Sequence, residues 1–393
     1  MPVEGVYLDN NATSRVAPEV IEAMLPYIQT FYGNPSSMHA WGSQAGKGLS
    51  RAREQVATIL GTETLSEIVF TGGGSESDNL AVVGTLHAYP DKKHIITTKV
   101  EHPAIYGLCR ELEGRHGYEV TFLGVDESGR LDLQELKDVL RPDTAVVSIM
   151  AANNETGVIF PIEEIGAVVK EAGTVFHVDA VQAVGKLPLD MSSSPVDLLS
   201  LSGHKLHAPK GVGALYVRKG TKLRPLIVGG HQERGRRAGT ENVPSIVGLG
   251  LACELSQQHL DVENGRVRQL RDRLEGTLLD TVKDCHLNGD AENRLPNTSN
   301  ISFKYIEGEG VLLLLDRAHI AASSGSACTS GSLEPSHVLK AMNVPFTSAH
   351  GSIRFSLSRY NTEEEIDYVA AVMPRIVERL RAITPFSVDR ATF

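Results

Sequence analysis

The sequence predicts an α/β protein whose large domain is built on a mostly parallel sheet flanked by helices. Short apolar runs alternate with longer helical patterns, and the runs lie at residues 68–71, 94–99, 144–150, 174–179 and 196–201. This alternation is typical of parallel strands joined by right-handed helical crossovers. After residue 297 the pattern changes to short strands and short helices, which indicates a second, smaller α+β domain.

Length and composition are consistent with two domains. The chain has 393 residues, of which 41% are hydrophobic, so it can bury a large core. We expect residues 16–260 to form the large domain and residues 1–15 and 261–393 to form the small one. Mixed acidic and basic residues at 261–276 are typical of an exposed helix face and mark the expected junction.

Charge and hydropathy exclude several classes of protein. The net charge is −10 and the isoelectric point is near 5.8, so the basic footprint of a nucleic-acid-binding protein is missing. No apolar run approaches the roughly 18 residues of a membrane span, and the first residues carry no basic leader. The sequence therefore predicts a cytoplasmic protein that binds neither nucleic acid nor membrane.

The four cysteines contain no C-x-x-C pair and do not indicate a disulfide framework. Cys109 and Cys253 lie in helical patterns typical of core packing. Cys328 lies instead in the small-residue stretch SSGSACTSGSLEPSH. An accessible thiol before a helix start is a candidate low-pKa nucleophile, and an unreactive polar loop is the alternative.

Two residues point to cofactor chemistry. Lys205 follows the run at 196–201 in a Ser-Gly-His-Lys turn, and Asp179 closes the run before it. Ligands of open α/β sheets bind beyond the carboxyl ends of the strands. A lysine that forms a Schiff base and an aspartate that pairs with a pyridinium nitrogen are what a pyridoxal phosphate enzyme requires. For Lys205 alone, an ordinary turn lysine is the alternative.

Polar clusters also follow the other strands. Glycines at residues 72–74 precede a helix, where exposed N–H groups bind anions, and no GKS/T motif supports a nucleotide P-loop. His102 follows the next apolar run, and the polar residues 153–155 follow another. We expect these clusters to share one rim of the sheet. Each of them alone is also compatible with a plain turn.

Two arginine-containing segments supply further candidates. Arg354 lies in an apolar run, and its planar guanidinium suits a carboxylate. The loop at residues 231–242 carries three arginines in four positions. That loop is either a solvated surface segment or an anion contact.

The motifs taken together resemble the cysteine desulfurases of aminotransferase-like fold, pyridoxal phosphate fold type I, most closely the nitrogen-fixation (NifS) type. The family's order is followed along essentially the whole chain by YLDNNAT, GNPSSMH, ESDN, EHPA, NNETG, HVDAVQ, SGHK, RRAGTEN, GSACTSGSLEPSH and SIRFSLSR. One departure is Ala151, where close relatives are expected to carry a bulky aromatic residue.

The resemblance implies roles for individual residues. Lys205 would form the Schiff base with pyridoxal 5'-phosphate, Asp179 would contact the pyridinium nitrogen, and Gln182 would contact the phenolic oxygen. His102 would stack on the cofactor and carry protons. The expected phosphate contacts are Gly74, Ser75, Ser202, His204 and, across a homodimer, Thr240 of the partner subunit, with Arg237 a further candidate. Asn154 would contact cofactor and substrate, and Arg354 would hold the substrate carboxylate.

The implied activity is conversion of L-cysteine to L-alanine, with the sulfur held on Cys328 as a persulfide and passed to an iron–sulfur scaffold, in nitrogenase maturation. No metal ion is expected in the protein itself, although Cys328 would contact a cluster or a sulfur acceptor. A selenocysteine lyase or another aminotransferase-like enzyme would share Lys205 and Asp179 without needing Cys328. A non-catalytic sulfur carrier or scaffold-binding protein with a degenerate site is the alternative from another class.

Overall fold

The computed structural model describes residues 5–324 and 335–383. Its strands are β1 (Val6–Tyr7), β2 (Ile68–Thr71), β3 (His94–Thr98), β4 (Glu119–Leu123), β5 (Thr144–Met150), β6 (Val175–Asp179), β7 (Leu198–Ser202), β8 (Gly213–Val217), β9 (Cys285–Leu287), β10 (Thr298–Phe303), β11 (Ile320–Ala321), β12 (Ser323–Ser324) and β13 (Ser352–Ser356).

The helices are α1 (Pro18–Gln29), α2 (Ala40–Ile59), α3 (Gly74–Ala88), α4 (Pro103–His116), α5 (Leu133–Val139), α6 (Ile162–Glu171), α7 (Val243–Gln258), α8 (Leu260–Val262), α9 (Arg268–Thr281), α10 (Gly308–Arg317), α11 (His337–Ala341), α12 (Phe346–Ala349) and α13 (Glu363–Ile383). None of the helices in these residues is both long enough and apolar enough to cross a bilayer.

The large sheet has the strand order β2-β8-β7-β6-β5-β3-β4. Strands β7, β6, β5, β3 and β4 run parallel to one another. Strand β8 runs antiparallel between β7 and β2, so β2 points in the same direction as the parallel strands. The carboxyl ends of β2, β3, β5, β6 and β7 therefore lie on one edge, which confirms the α/β class and the predicted common rim.

Both faces of the central strands of this sheet are buried. The residues of β5, β6 and β7 are all buried, as expected for parallel strands covered by helices on each side. Neighbouring side chains of β2 enter different cores: Ile68 and Phe70 pack with α2 and α7, whereas Val69 packs with α3 and α4. This covering leaves the strand ends as the open part of the sheet.

The small sheet has the antiparallel order β12-β13-β10-β9. One face is apolar, and Ile301, Phe303, Ile353 and Phe355 pack in a separate core with helices α9, α10 and α13. The opposite face is polar but also buried, with Thr298, Asn300, Ser302, Ser352, Arg354 and Ser356. The domain boundaries at residues 15/16 and 260/261 stay a prediction.

The amino-terminal segment joins the two sheets. Strand β1 pairs in parallel with β11, and Asp9 bridges to Ser356 at the end of β13. Beyond this bridge, the Asn11 side chain donates a 2.8 Å hydrogen bond to Thr298 Oγ1 of the small sheet. The segment thus carries polar groups from the small sheet to the rim of the large one.

Candidate active site

A cavity of about 760 Å³ lies at the carboxyl edge of the large sheet and reaches the small sheet. It brings together ten of the predicted site residues, namely Gly74, Ser75, His102, Asn154, Asp179, Gln182, Ser202, His204, Lys205 and Arg354. Thr240 does not line this cavity. Cys328 lies outside the described residues. The size matches that of a small-molecule or cofactor site.

Lys205 ends a short helical turn that directly follows β7. Its Nζ donates 2.6 Å hydrogen bonds to the backbone carbonyl oxygens of Asn11 and Ala12. Burial lowers the pKa of Lys205 to about 7. Near neutral pH the amine is therefore present in both its protonated and its neutral form, so it can act as a nucleophile and as a base.

Asp179 is the last residue of β6 and is buried. Its Oδ1 accepts a 2.9 Å hydrogen bond from the backbone N–H of Val181. Burial raises the pKa of Asp179 to about 6, while that hydrogen bond and the charge of Lys205 oppose the rise. Asp179 is thus mainly anionic at neutral pH.

Gln182 follows Asp179 on the same rim. Its Nε2 donates a 3.0 Å hydrogen bond to the Asn11 carbonyl, the same oxygen that accepts from Lys205. Its Oε1 is buried and has no hydrogen-bond partner among the described residues. A buried amide oxygen without a partner is costly, so a ligand group that donates a hydrogen bond is expected there.

Three glycines form the turn from β2 into α3. Gly73 has φ +146°, which side-chain-bearing residues rarely adopt, and a Cβ on Gly74 would lie 2.9 Å from a Val181 methyl. Helix α3 begins at Gly74, and the first N–H groups of a helix lack intrahelical acceptors. Ser202 lies beside this turn, because its Cβ is 3.4 Å from the position that a Cβ on Gly74 would occupy. The turn is therefore a suitable site for an anion.

Two histidines border the cavity in their neutral form. His102 caps α4, and its Nδ1 accepts a 3.1 Å hydrogen bond from the Ala104 N–H. Although the His102 ring faces the open cleft, the surrounding protein desolvates it and lowers its pKa to about 4. The His204 Nδ1 lies 3.2 Å from Thr13 Oγ1, and burial likewise lowers the pKa of His204 to about 4.

Arg354 enters the cavity from the polar face of the small sheet. Its two terminal nitrogens donate to the Asn154 carbonyl at 3.0 Å and to Asp9 Oδ1 at 2.8 Å. Its Nε is buried and has no partner among the described residues. The same Asp9 oxygen accepts a 2.8 Å hydrogen bond from Ser323. Asn154 contacts Arg354 through its backbone carbonyl and also lines the cavity.

Buried acids beneath the cavity were not identified from the sequence. Burial, and then the nearby charge of Asp179, raise the pKa of Asp78 well above its usual value, while burial lowers the pKa of His177 to about 3. The 3.7 Å contact between Asp78 and His177 is therefore not an ion pair near neutral pH, because the His177 ring is neutral there. Burial also raises the pKa of Glu101 to about 8. Asp179, with a pKa of about 6, stays mainly anionic near neutral pH.

Another buried acid, Glu155, contacts the described residues that follow Cys328 in the chain. Glu155 Oε2 accepts a 2.5 Å hydrogen bond from Ser336, which caps α11. Burial raises the pKa of Glu155 to about 7. Next along the chain, the His337 Nε2 lies 2.9 Å from the Glu101 carbonyl oxygen. These contacts fix the described residues that follow Cys328 against the rim.

Thr240 lies in a different pocket. It is exposed and borders a pocket of about 200 Å³ together with Gly72 and Arg237. Arg237 Nε donates a 2.9 Å hydrogen bond to Glu76 in the same chain. The preceding part of this loop is anchored by Glu233, whose carboxylate accepts bonds of 2.7 and 2.8 Å from the buried guanidinium of Arg53.

The described cysteines do not line the cavity. Cys109 and Cys253 are buried in the apolar cores of α4 and α7, which confirms the predicted packing role. Burial raises the pKa of each thiol to about 12. Ala151 likewise lies in the apolar core, and its N–H donates a 2.8 Å hydrogen bond to the Asp179 carbonyl. The small side chain of Ala151 therefore affects the packing of the core behind the cavity.

Sequence reasoning also missed Asp9 and Asn11, which contact Arg354 and Lys205. The available signal was the polar run Asp-Asn-Asn, which begins one residue after β1. For the acids, the signals were a carboxylate at Asp78, shortly before the apolar run of α3, and a carboxylate at Glu101, next to His102. Without the fold, each of these is indistinguishable from a turn or capping residue.

Comparisons with known proteins agree with this site, in which a lysine turn, a buried aspartate and a glycine-lined helix start meet at one sheet edge. Residues 6–369 match the family model described as aminotransferase class-V. A solved structure described as a NifS-like protein has a TM-score of 0.90 and 41% identity, covering 96% of this chain and 100% of its own. The chain belongs to the class-V aminotransferase family.

The curated relatives narrow this assignment. The cysteine desulfurase of Trichormus azollae is 63% identical over 386 residues, covering 98% of this chain and 96% of the relative. The cysteine desulfurase NifS of Azotobacter vinelandii is 58% identical over 381 residues, covering 97% and 94%. Within its family the chain groups with the NifS-type cysteine desulfurases, which confirms the resemblance seen in its motifs.

Proposed function

We propose that this protein is a pyridoxal 5'-phosphate-dependent cysteine desulfurase that forms L-alanine from L-cysteine and holds the sulfur on Cys328. The observation that carries the proposal is the convergence of Lys205, Asp179, Gln182 and His102 on one cavity at the carboxyl edge of the sheet. The names of the relatives support the same activity.

The residues present fit pyridoxal phosphate. The turn at Gly73 and Gly74 leaves open a space that side chains would fill, and it presents free N–H groups suited to a phosphate. The side-chain amide of Gln182, whose Oε1 has no partner among the described residues, would contact the phenolic oxygen. Asp179 carries the negative charge that a pyridinium nitrogen requires. Ser75, Ser202 and His204 complete the proposed phosphate site.

When bound, the cofactor supplies an electron sink for the charge that develops at the substrate Cα. Asp179 would keep the ring nitrogen protonated, and His102 would pack against the ring. Lys205 would anchor the cofactor and, once released by the substrate amine, move protons at the substrate Cα and Cβ. The neutral state of the His102 ring allows it to accept a proton during this exchange.

Sulfur transfer requires a second nucleophile, which we assign to Cys328. The Cys328 thiolate attacks the substrate sulfur, an S–S bond forms, and the Cβ–S bond breaks with its electron pair moving to carbon. Carbon is reduced and sulfur is oxidised within the same step, so no external oxidant is required. The net reaction converts L-cysteine and a thiol to L-alanine and a persulfide.

Substrate binding would use Arg354 and Asn154. The buried Nε of Arg354 lacks a partner and can donate to a carboxylate oxygen. Asn154 lies beside it on the wall of the cavity. We propose an iron–sulfur scaffold, in nitrogenase maturation, as the sulfur acceptor. The cytoplasmic location expected from the sequence stays a prediction.

We also propose a homodimer in which Thr240 of the partner subunit contacts the cofactor phosphate. Within one chain, Thr240 borders a separate pocket, so it would reach a site only across an interface. Helix α1 supports such an interface because Ile21, Leu25 and Ile28 are 48%, 42% and 57% exposed on one face.

Incubation of the purified protein with L-cysteine tests the function, with alanine and protein-bound persulfide measured together. One alanine per sulfur, with the persulfide on Cys328, is the expected result. Alanine formation that needs a keto acid would identify an aminotransferase, and turnover of selenocysteine alone would identify a selenocysteine lyase. Protein without a visible cofactor band and without turnover would identify the non-catalytic alternative.

A further inference from the structure

A second lysine, Lys186, lies buried behind the cavity and has no role in the proposed reaction. It is only 8% exposed, and its Nζ donates a 3.1 Å hydrogen bond to the Gln182 carbonyl. No carboxylate in the described parts of the chain forms a direct ion pair with it. Because a buried ammonium without a direct partner is costly, Lys186 is an unusual core residue.

Lys186 is connected to Lys205 through short hydrogen bonds. Gln182 accepts from Lys186 with its backbone carbonyl and donates from its side chain to the Asn11 carbonyl at 3.0 Å. Lys205 Nζ donates to that same Asn11 oxygen at 2.6 Å. Gln182 and Asn11 therefore link the two amines, and each amine donates a hydrogen bond to this link.

The backbone also brings the two lysines together. Gly185 has φ +75°, and a Cβ at this position would lie 2.7 Å from the Leu206 side chain, next to Lys205. Lys186 and Lys205 both line a small cavity of about 20 Å³, which has room for about one water molecule. The two lysine residues thus border the same small space behind the main cavity.

Glu263 lines the same small space and supplies a counter-charge. It begins a π-helical turn, Glu263–Val267, and the next residue, Asn264, donates a 2.9 Å hydrogen bond to the Lys186 carbonyl. Burial raises the pKa of Glu263, and the Lys186 charge opposes that rise. Such turns inside helices are frequent at functional sites.

We propose that Lys186 is a positioning residue that favours the unprotonated form of the Lys205 nitrogen by holding a second positive charge behind it. A nearby ammonium disfavours protonation of a lysine, and this is a known route to an activated lysine nucleophile. The inference rests on the proposed function, because only a free amine can attack the aldehyde carbon of pyridoxal phosphate.

The charged groups around Lys205 support this role. Burial is the largest cause of its lowered pKa, and Arg354 and Lys186 lower it further, whereas Asp9 and Asp179 raise it. His102 and His204 are neutral at pH 7, because their pKa values are about 4. Arg354 is needed for substrate, so Lys186 is the cation whose removal tests the electrostatic effect alone.

The test is a pH titration of the visible absorbance of bound pyridoxal phosphate in the holoenzyme. Removing the Lys186 charge in Lys186→Met should raise the midpoint by about one pH unit, a tenfold change in proton affinity. Lys186→Arg should keep the midpoint of the parent. Lys222→Met, which removes an exposed lysine, is the matched control for net charge and should leave the midpoint unchanged.

A double variant, Lys186→Met with Glu263→Gln, distinguishes two effects of Lys186→Met on the midpoint. One is the loss of the lysine charge, and the other is the Glu263 charge that the lysine no longer balances. An upward shift that persists in the double variant supports the role of Lys186, and a shift that vanishes overturns it. If Lys186→Met does not retain cofactor, Lys186→Gln is titrated instead. An unmoved midpoint with a normal cofactor band overturns the inference alone, whereas a parent protein without that band overturns the proposed function too.

Discussion

Arg354 donates a 2.8 Å hydrogen bond to Asp9, so the arginine expected to hold the substrate carboxylate is already paired with a carboxylate of the same chain. The pair is largely buried, with side-chain exposures of 9% for Arg354 and 19% for Asp9. Asp9 fixes the plane of the guanidinium, and the buried Nε has no partner among the described residues. The proposed carboxylate site is therefore an oriented guanidinium rather than a flexible side chain.

Replacing Arg354 by lysine should raise KM for L-cysteine and lower kcat/KM. A point charge cannot reproduce the planar donors that contact Asp9, the Asn154 carbonyl and the substrate together. We expect a loss of about 2 to 3 kcal/mol in transition-state stabilisation, measured from steady-state kinetics. Arg141→Lys, at an exposed ion pair, is the matched control. Unchanged kinetics in Arg354→Lys would place the carboxylate site elsewhere.

Lys205→Ala should stop multiple turnover while the protein retains some cofactor. The lysine is the proposed anchor and proton carrier, whereas the phosphate and ring contacts come from Gly74, Asp179 and other residues. Alanine formation over many cycles and the cofactor content of the purified protein are the two measurements. Lys222→Ala should behave as the parent. Sustained alanine production by Lys205→Ala is incompatible with the assignment.

Cys328→Ser should abolish sulfide release from L-cysteine and leave the visible cofactor absorbance and substrate binding nearly intact. The other cysteines cannot replace it easily, because burial raises the thiol pKa of Cys109 and Cys253 to about 12. Burial also raises the pKa of Cys285. Mass spectrometry after a cysteine pulse should find the extra sulfur on Cys328. Cys285→Ser is the control, and sulfur on any other cysteine contradicts the mechanism.

Leu25→Glu should shift the protein from dimer to monomer and weaken cofactor retention. A charge in the apolar stripe of α1 would be buried without a partner at the proposed interface. Sedimentation velocity measures the oligomeric state, and Leu313→Glu, at a leucine of α10 that is 68% exposed, is the matched control.

Thr240→Val should loosen cofactor binding about tenfold, the scale of a hydrogen bond to a charged group. A fully active monomer excludes the shared site.

His177 should make the folded protein sensitive to acid. Burial lowers its pKa to about 3 from 6.5, so between these values the unfolded chain binds a proton that the folded chain does not. The free energy of unfolding then falls as pH falls through this window, by up to about 1.4 kcal/mol per unit. Urea unfolding at pH 7 and pH 5 measures this fall.

In His177→Gln the difference in unfolding free energy between the two pH values should shrink by about 2 kcal/mol. Glutamine can still form hydrogen bonds with Ser148 and Ser200, which hold the His177 ring at 2.8 and 2.9 Å. His116→Gln, at an exposed histidine, should keep the full difference. The same pH dependence in His177→Gln and the parent would refute this role.

The rim of the site was predictable because it follows from local pattern. Continuous apolar runs such as β5 indicate strands buried on both faces, and the carboxyl ends of parallel strands meet at one edge. Any polar residue that directly follows such a run is then a candidate. Asp179, His102 and the turn at Gly74 were found in this way, and each lines the cavity.

The partners of those residues were not predictable from pattern alone. Asn11 reaches Lys205 because β1 pairs with β11, more than three hundred residues later in the chain. The Asp9–Arg354 bond depends on the same pairing. The raised pKa values of Asp78 and Glu101 result mainly from burial, which the types of neighbouring residues do not reveal.

The path of the amino-terminal segment has a consequence for biosynthesis. The Asn10 and Asn11 backbone N–H groups donate to the Ser356 carbonyl and hydroxyl oxygens, so these residues bind strand β13, which is synthesised more than three hundred residues after them. The carbonyls that hold Lys205 therefore cannot be positioned until translation has passed Ser356. The large sheet can assemble earlier, but Lys205 acquires its final surroundings only after β13 has been synthesised, when these contacts distant in sequence form.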